Sequence, residues 1–384
     1  MEFSFSPDTL MLRDMLRRFV EKEAQPLEMK YFSAGALEPK EGAHLRKVIE
    51  QMGLWGILVP EAFGGGGLDT ITACLLEEEL GKTFIPLDLG EVPLLLYACQ
   101  GEQVERFLEP ALAGSRKAFL AVREPDALRP EDWGTSVVQQ GDAYMLNGSK
   151  LLSAKPGPED FLIVFAKTEQ DVTAFVLDAD HPGLSLGGKD KDGENHRVGK
   201  DQRVGENHRM ILQIKGCQIG RDSLLGEYGQ AFKLGAEEAP RAWIRIGARF
   251  VGLADRLVAM AADYAREWVA LGSPLMERPA IKRMLAEIHV QVNCARWLVY
   301  HAAWLADQGA PLHIPAAEVR LATGEMLQKV TDFVIMVYGG PGPSAPFDLQ
   351  HVFSSTIPME ALVLGLDGAR NMIAADMLVA SKER

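Results

Sequence analysis

Apolar positions change their spacing twice along this 384-residue chain, and the two changes divide it into three parts. After Ser6-Pro7-Asp8, which read as N-cap, N1 and N2, the residues Leu12, Met15, Leu16, Phe19 and Val20 fall on one stripe of a helix expected to end before Pro26. Further helices are expected at about 40–53, 69–82 and 100–114. From about residue 116 the pattern shortens to period two or to short buried runs: Ala118 to Val122, Ser136 to Val138, Tyr144 to Leu146, Phe161 to Ala166, Ala174 to Leu177 and Met210 to Ile214. Asn147-Gly148 predicts a hairpin turn. After Gly226 the helical period returns in four long segments near 228–270, 279–308, 315–338 and 359–382, broken by glycine and proline between them. The pattern predicts an α+β protein: an N-terminal helical domain over 1–115, a middle β-barrel or sandwich domain over 116–222, and a C-terminal four-helix bundle over 223–384.

The block Met52 to Gly81 joins a strand-like apolar run, a loop of four glycines (Gly64 to Gly67) and a helix that reads as amphipathic, with Asp69, Thr70 and Thr72 as caps. Composition adds limits. With 47% hydrophobic residues the chain can bury a large core, and a net charge of -13 argues against nucleic acid or an anionic membrane as partner. The four cysteines, Cys74, Cys99, Cys217 and Cys294, are widely spaced and form no CxxC pair, so reduced core thiols in a cytoplasmic protein are expected. The N-terminus has no basic stretch leading into an apolar run, and no apolar stretch reaches the ~18 residues a membrane span needs. GENHR occurs twice, at Gly193 to Arg197 and Gly205 to Arg209, a duplication within a charged loop. Its Glu194, His196, Glu206 and His208 could gather around a metal, but two solvated arms explain them more simply, and no metal is expected.

Several segments, in order along the whole chain, resemble the acyl-CoA dehydrogenase family. Ala121-Val122-Arg123-Glu124-Pro125 is similar to the family's A-x-T-E-P strand end, whose backbone meets the flavin pyrimidine ring. Tyr144 to Ser149 resembles the hairpin before the flavin-facing strand, and Leu224 to Glu227 the entry into the bundle. Tyr338-Gly339-Gly340-Pro341-Gly342 resembles the glycine turn beneath the adenosine of a second subunit's FAD. The resemblance implies FAD-dependent α,β-dehydrogenation of acyl-CoA thioesters. That chemistry needs a carboxylate on one face of the thioester, flavin N5 on the other, two donors to the thioester oxygen, and exclusion of water.

At the matching positions most of these groups are missing. The family's catalytic Glu near the last helix falls on Val363 or Leu364, and the alternative Glu of the first bundle helix falls on Ala242, beside Trp243. Of the nearby carboxylates Glu237, Glu238, Glu360 and Asp367, Glu360 is the strongest candidate for a relocated base, although a solvated or helix-capping role is favoured for each. The flavin-packing W-x-T segment matches Leu152-Ser153-Ala154, the FAD-clamping Arg falls on Trp268 with Leu271-Gly272 following, and the Gln before the glycine turn is Met336. Leu128 to Glu131 replace a glycine-serine-aspartate. Leu, Met and Trp at those positions are expected to fill the space as ordinary core. The resemblance therefore implies FAD contacts at Val122, Arg123, Glu124, Leu152, Ser153, Ala154, Gly339 and Gly340, but weak or absent FAD binding by the isolated chain. Three readings follow: a partner subunit of a catalytic homologue, an active flavoenzyme with a relocated base, or a non-enzymatic acyl-CoA-binding oligomer. A homo- or hetero-oligomer is expected, with Trp243, Phe250, Trp268, Trp297, Trp304 and Phe333 giving the bundle large apolar surfaces.

Overall fold

The computed structural model describes residues 4–34, 37–125, 127, 130–152, 155–169, 171–187, 210–234, 236, 239–339 and 366–380. The chain forms two compact units, one made of Met1–Trp55, Gly67–Leu89 and Pro240–Arg384, the other of Gly56–Gly66 and Gly90–Ala239.

The first unit is helical: α1 (Pro7–Phe19), α2 (Glu28–Ala34), α3 (Pro39–Gln51) and α4 (Thr70–Leu80), then, after the four-residue α5 (Glu109–Leu112) that belongs to the second unit, α6 (Ala239–Glu267), α7 (Pro279–Asp307), α8 (His313–Tyr338) and α9 (Leu366–Ala380). Ser6 caps α1 as expected, its hydroxyl accepting the Thr9 N–H at 3.1 Å. Helix α1 ends at Phe19 and a π turn at Ala24, before Pro26 as expected, but a helical path continues through that proline. It sits in the one-turn 3₁₀ segment Gln25–Leu27, where a missing N–H costs little, and α2 follows at once. The expected helix from 228 starts only at Ala239.

Helix α4 is the main departure from the periodic reading. It is buried on every side rather than amphipathic, and Glu77, Glu78 and Glu79 are all inside. Three successive positions on a helix point in three directions, and each finds its own cation. Glu77 accepts from Arg249 of α6 at 2.6 Å, Glu78 from Arg296 and the Tyr300 hydroxyl of α7 at 3.1 and 3.0 Å, and Glu79 from Arg17 of α1 at 2.7 Å and Lys82 at 2.9 Å. Burial pushes the Glu78 carboxyl up, with Arg296 opposing, whereas the bonds from Arg17 and Lys82 outweigh burial at Glu79 and hold it down. The N-terminus of α4 is capped twice, by Asp69 on the Thr72 N–H at 2.8 Å and by Asp307, from the end of α7, on the N–H groups of Thr70 and Ile71 at 2.7 and 3.1 Å. Two glycines let α4 and α6 touch backbone to backbone. A Cβ at Gly252 would lie 1.9 Å from the Glu78 carbonyl oxygen, and one at Gly81 2.1 Å from that of Arg249.

The second unit holds one eight-stranded sheet, from β1 (Ala118–Ala121), β2 (Ser136–Gln140), β3 (Ala143–Leu152), β4 (Phe161–Lys167), β5 (Val172–Asp178), β6 (Leu184–Leu186), β7 (Met210–Gly220) and β8 (Leu224–Leu225). The order is β6-β7-β3-β2-β4-β5-β8, and β1 runs parallel beside β4. Strands β4 and β5 read as unbroken apolar runs because both faces are covered: Phe161, Ile163 and Phe165 point into one core, Leu162, Val164 and Ala166 into the other.

Asn147-Gly148 is not a hairpin turn. Both residues lie inside β3, at a register shift against β7, where Asn147 Oδ1 accepts the Gly216 N–H at 2.7 Å. Gly148 has φ 146° and a Cβ there would strike Thr135 at 2.4 Å, so the glycine serves a bulge and a close approach. The actual turn is Gly141-Asp142 between β2 and β3, a dipeptide that carries its own hairpin signal.

The α4–α6 contact makes Gly252→Ala strongly destabilising, by several kcal/mol, because neither backbone can give. Gly42→Ala in α3, where a Cβ meets nothing within 4 Å, should instead raise stability by roughly 0.5–1 kcal/mol. Urea unfolding midpoints of the two variants check both signs.

Candidate functional site

The residues after β1 are held by a buried ion pair. Lys150, on β3, has no exposed surface, and its ammonium donates to Glu124 Oε1 at 2.9 Å and to the Val122 carbonyl at 3.0 Å. Glu124 also accepts the backbone N–H groups of Gly134 at 2.7 Å and Thr135 at 3.0 Å. The Leu151 N–H donates to the Arg123 carbonyl at 2.8 Å, and the Thr135 hydroxyl to the Ser149 carbonyl at 3.1 Å. The Lys150 ammonium lies 3.8 Å from the centre of the Trp133 ring, a cation–π contact in a dry setting, while the Trp133 indole N–H is buried without a hydrogen-bond partner. Burial pulls the Lys150 amine down to about 8, more than the pairing with Glu124 restores. Glu124 moves the other way: burial would raise it, but the bonds from Thr135 and Lys150 hold it below the ordinary carboxylate range.

Of the site residues expected from the sequence, Val122, Arg123, Glu124 and Leu152 lie on the segments this network joins. Leu152 is buried in the core between β3, β4 and β7, where it pairs with Met210. Lys150, Trp133 and Thr135 were not among the expected residues. A signal for Lys150 existed in its parity, since Tyr144, Leu146 and Leu152 alternate with it onto the covered face of β3.

In the helical unit, Ala242 lies in the first turn of α6, and the neighbouring Trp243 ring receives the Arg320 guanidinium at 5.5 Å. Asp367 is exposed in the first turn of α9 and pairs with Arg370 at 2.8 Å, the solvated helix-start role expected of it. Gly339 closes α8 with φ 59°, its N–H donating to the Ile335 carbonyl at 2.9 Å. Glu237, Glu238, Val363, Leu364, Glu360, Ser153, Ala154, Gly340, Leu128, Arg129 and the duplicated GENHR loop lie outside the described residues.

Among the described residues, the expectation that Leu, Trp and Met fill those positions as core is met at Leu152 alone. Trp268 is 46% exposed and Met336 58%, and Leu271, expected beside them, is 95% exposed on a two-residue hairpin turn with φ 54°. Trp268 stacks on Tyr264, which stacks on Tyr338 with centroids 4.2 Å apart, so it forms the outer edge of an aromatic pile rather than a plug. Cys294 likewise is exposed, whereas Cys74, Cys99 and Cys217 are buried. Among the described residues no helix is long and apolar enough to cross a membrane.

Comparison with known proteins agrees with this architecture at both ends. Residues 6–115 match the acyl-CoA dehydrogenase N-terminal domain and residues 241–374 the acyl-CoA dehydrogenase C-terminal domain. The chain belongs to the acyl-CoA dehydrogenase family. It is similar to (R)-benzylsuccinyl-CoA dehydrogenase of Thauera aromatica, 28% identical with 92% of this chain and 91% of the relative covered. Its fold is that of butyryl-CoA dehydrogenase from Megasphaera elsdenii, with a TM-score of 0.80 at 24% identity and coverage of 98% and 100%. The FAD complex of PigA shares the fold as well, with a TM-score of 0.83 at 21% identity and coverage of 98% and 99%.

Leu152 is enclosed by the sheet core, and the Val122 and Arg123 carbonyls each accept a donor from within the unit. The network holds this strand end in place. Lys150→Met leaves Glu124 buried against N–H donors alone and should cost about 3 kcal/mol or more, with part of the loss recovered in the Lys150→Met/Glu124→Gln double variant. Chemical denaturation of the set measures this. Because the folded-state pKa of Glu124 is depressed, its contribution is present above the unfolded value and is lost as pH falls through the folded one. Wild-type stability should therefore decline on acidification below about pH 4.5, the ordinary Glu range, more steeply than that of Glu124→Gln. At Lys150 the lowered pKa acts in the alkaline range: between about 8 and 10.5 the unfolded chain keeps a proton the folded chain has shed, so this residue makes stability rise with pH there.

Proposed function

We propose that this chain is a partner subunit within an acyl-CoA dehydrogenase-type assembly, paired with a catalytic homologue and without a complete site of its own. The family reaction is FAD-dependent α,β-dehydrogenation of an acyl-CoA thioester. The observation that carries the reading is Ala242: the first turn of α6 offers a methyl group where the alternative family base would stand, and beside it Trp243 is engaged with Arg320. A methyl group cannot accept the α-proton, and a carboxylate one helical turn away, ~5 Å, is too distant for direct transfer.

The β unit supports the same reading. Leu152 turns into the sheet core instead of offering an aromatic face to a flavin, and the Val122 and Arg123 carbonyls each accept a donor from within the unit. The partly exposed Trp268 and Trp304 of the bundle, 46% and 47% exposed, support association. The division into domains at 1–115, 116–222 and 223–384 and a location in the cytoplasm belong to this proposal too.

Purified alone, the chain should be colourless after gel filtration, and with FAD supplied in excess it should not reduce an artificial electron acceptor with straight-chain or branched acyl-CoA. Stoichiometric bound FAD would overturn the first part. Acyl-CoA-dependent flavin reduction that disappears in Glu360→Gln would overturn the second and make the chain an enzyme with a relocated base.

A further inference from the structure

Helices α1 and α3 flank an open groove of about 750 Å³ in the helical unit. Its apolar part is built from Leu10, Met11 and Met15 of α1 and from Val48 and the C-cap Met52 of α3. Methionines dominate that wall, and their unbranched thioethers adapt to a flexible ligand. Met11 is 65% exposed, although Leu16 and Phe19 of the same helix are core. The groove continues past Arg18 to Lys22, in the π turn Val20–Ala24 that prolongs α1. The two helices run antiparallel here: Glu23 meets His44 Nε2 at 3.1 Å, so Val48 and Met52, further along α3, stand toward the earlier turns of α1. The groove is therefore graded, with methionines at one end and cations at the other.

The acids on its rim are already engaged. Asp14 pairs with Arg13 at 2.7 Å and with Arg17 at 3.8 Å, and Glu23 has His44. Arg18 acts on Asp14 only through space, and among the described residues neither Arg18 nor Lys22 forms a salt bridge or a side-chain hydrogen bond. In a chain with 53 acidic and 40 basic residues, two neighbouring cations without an acid of their own offer a place to an anion from outside.

We propose that this groove binds a long-chain fatty acid, with its carboxylate between Arg18 and Lys22 and its tail along Met15, Met11 and Met52. Two cations at one end and methionines at the other match a ligand with a single charge and a long apolar tail. Arg18 and Lys22, four residues apart, stand on the same side of the helical path and can reach one carboxylate together. A head with several phosphates would be repelled, because Asp14 and Glu23 border the same groove, and this selects the free acid over a coenzyme A ester. Length sets the tail. From Met11 to Lys22 the helical path rises ~16 Å. An extended backbone gains ~1.2 Å per bond, so an acyl chain with the same zigzag covers that distance in about 13 bonds, as in tetradecanoate. The site lies on the helical unit alone, and the proposal does not depend on the partner-subunit reading.

The test titrates the full chain with tetradecanoate, below its micellar concentration, by isothermal titration calorimetry. One tetradecanoate should bind per chain, and hexanoate, whose tail is too short to reach Met11, should bind at least about 100-fold more weakly. In Arg18→Gln/Lys22→Gln the affinity for tetradecanoate should fall about 10-fold or more, whereas dodecanol, a tail without a charge, should bind as it does to the wild type. Met11→Glu, at an exposed position, should abolish binding of both with an unchanged far-ultraviolet circular dichroism spectrum, because it puts a carboxylate in the path of the tail. No saturable binding of tetradecanoate overturns the proposal. So does binding that survives Met11→Glu, which places the ligand elsewhere in the molecule, and so does binding that the double Gln variant leaves unchanged. Tetradecanoyl-CoA that binds more tightly than tetradecanoate, and is weakened by the same substitutions, overturns the choice of the free acid. If Met11→Glu fails to fold, the double Gln variant, which changes two exposed side chains, decides.

Discussion

The helical unit is built around a helix that should not be stable where it is. Three adjacent carboxylates, Glu77, Glu78 and Glu79, are buried in α4, and each unpaired would cost several kcal/mol. They are tolerated because α1, α6 and α7 each bring a cation to one of them, Arg17, Arg249 and Arg296. Since the three carboxylates radiate from one helix, satisfying all three fixes where each surrounding helix must stand. Gly81 and Gly252 then let α4 and α6 close to backbone contact, which sets the distance as the ion pairs set the direction. Buried charge of this kind contributes little net stability, but it leaves few alternative packings.

The β unit uses the same device once. Lys150 and Glu124 are buried against each other, and their remaining hydrogen-bonding capacity is spent on backbone: Val122 for the lysine, Gly134 and Thr135 for the carboxylate. The pair thus fastens the chain leaving β1 to β3 and to the start of β2. A strand end tied internally in this way is a rigid support.

The exposed aromatics make a different point about what a family resemblance implies. Replacing polar ligand contacts by Leu, Met or Trp need not fill a cavity. Leu152 does so because it alternates into a sheet core, while Trp268 and Met336 stay exposed at helix ends. The result is exposed apolar surface at those helix ends rather than a filled cavity.

The order of elements was legible from spacing alone: helices with their Ser6 and Asp69 caps, the short β runs, and the long bundle helices each follow from periodicity and capping chemistry. So was the family, from strand-end and turn motifs spread along the chain, and so was the absence of a proton acceptor at Ala242. What spacing could not decide was which faces are covered. Glu77 to Glu79 read as a polar face because a lone carboxylate belongs in water, and only the arrival of three arginines from distant positions reverses that preference. Asn147-Gly148 read as a turn because its local chemistry suits one, yet the approach of Thr135 made the glycine a bulge. The parity of Lys150 placed it on the covered face of β3, but not its partner: its burial depends on Glu124, 26 positions away, and long-range pairing of charges is a property of the tertiary structure rather than of any local pattern.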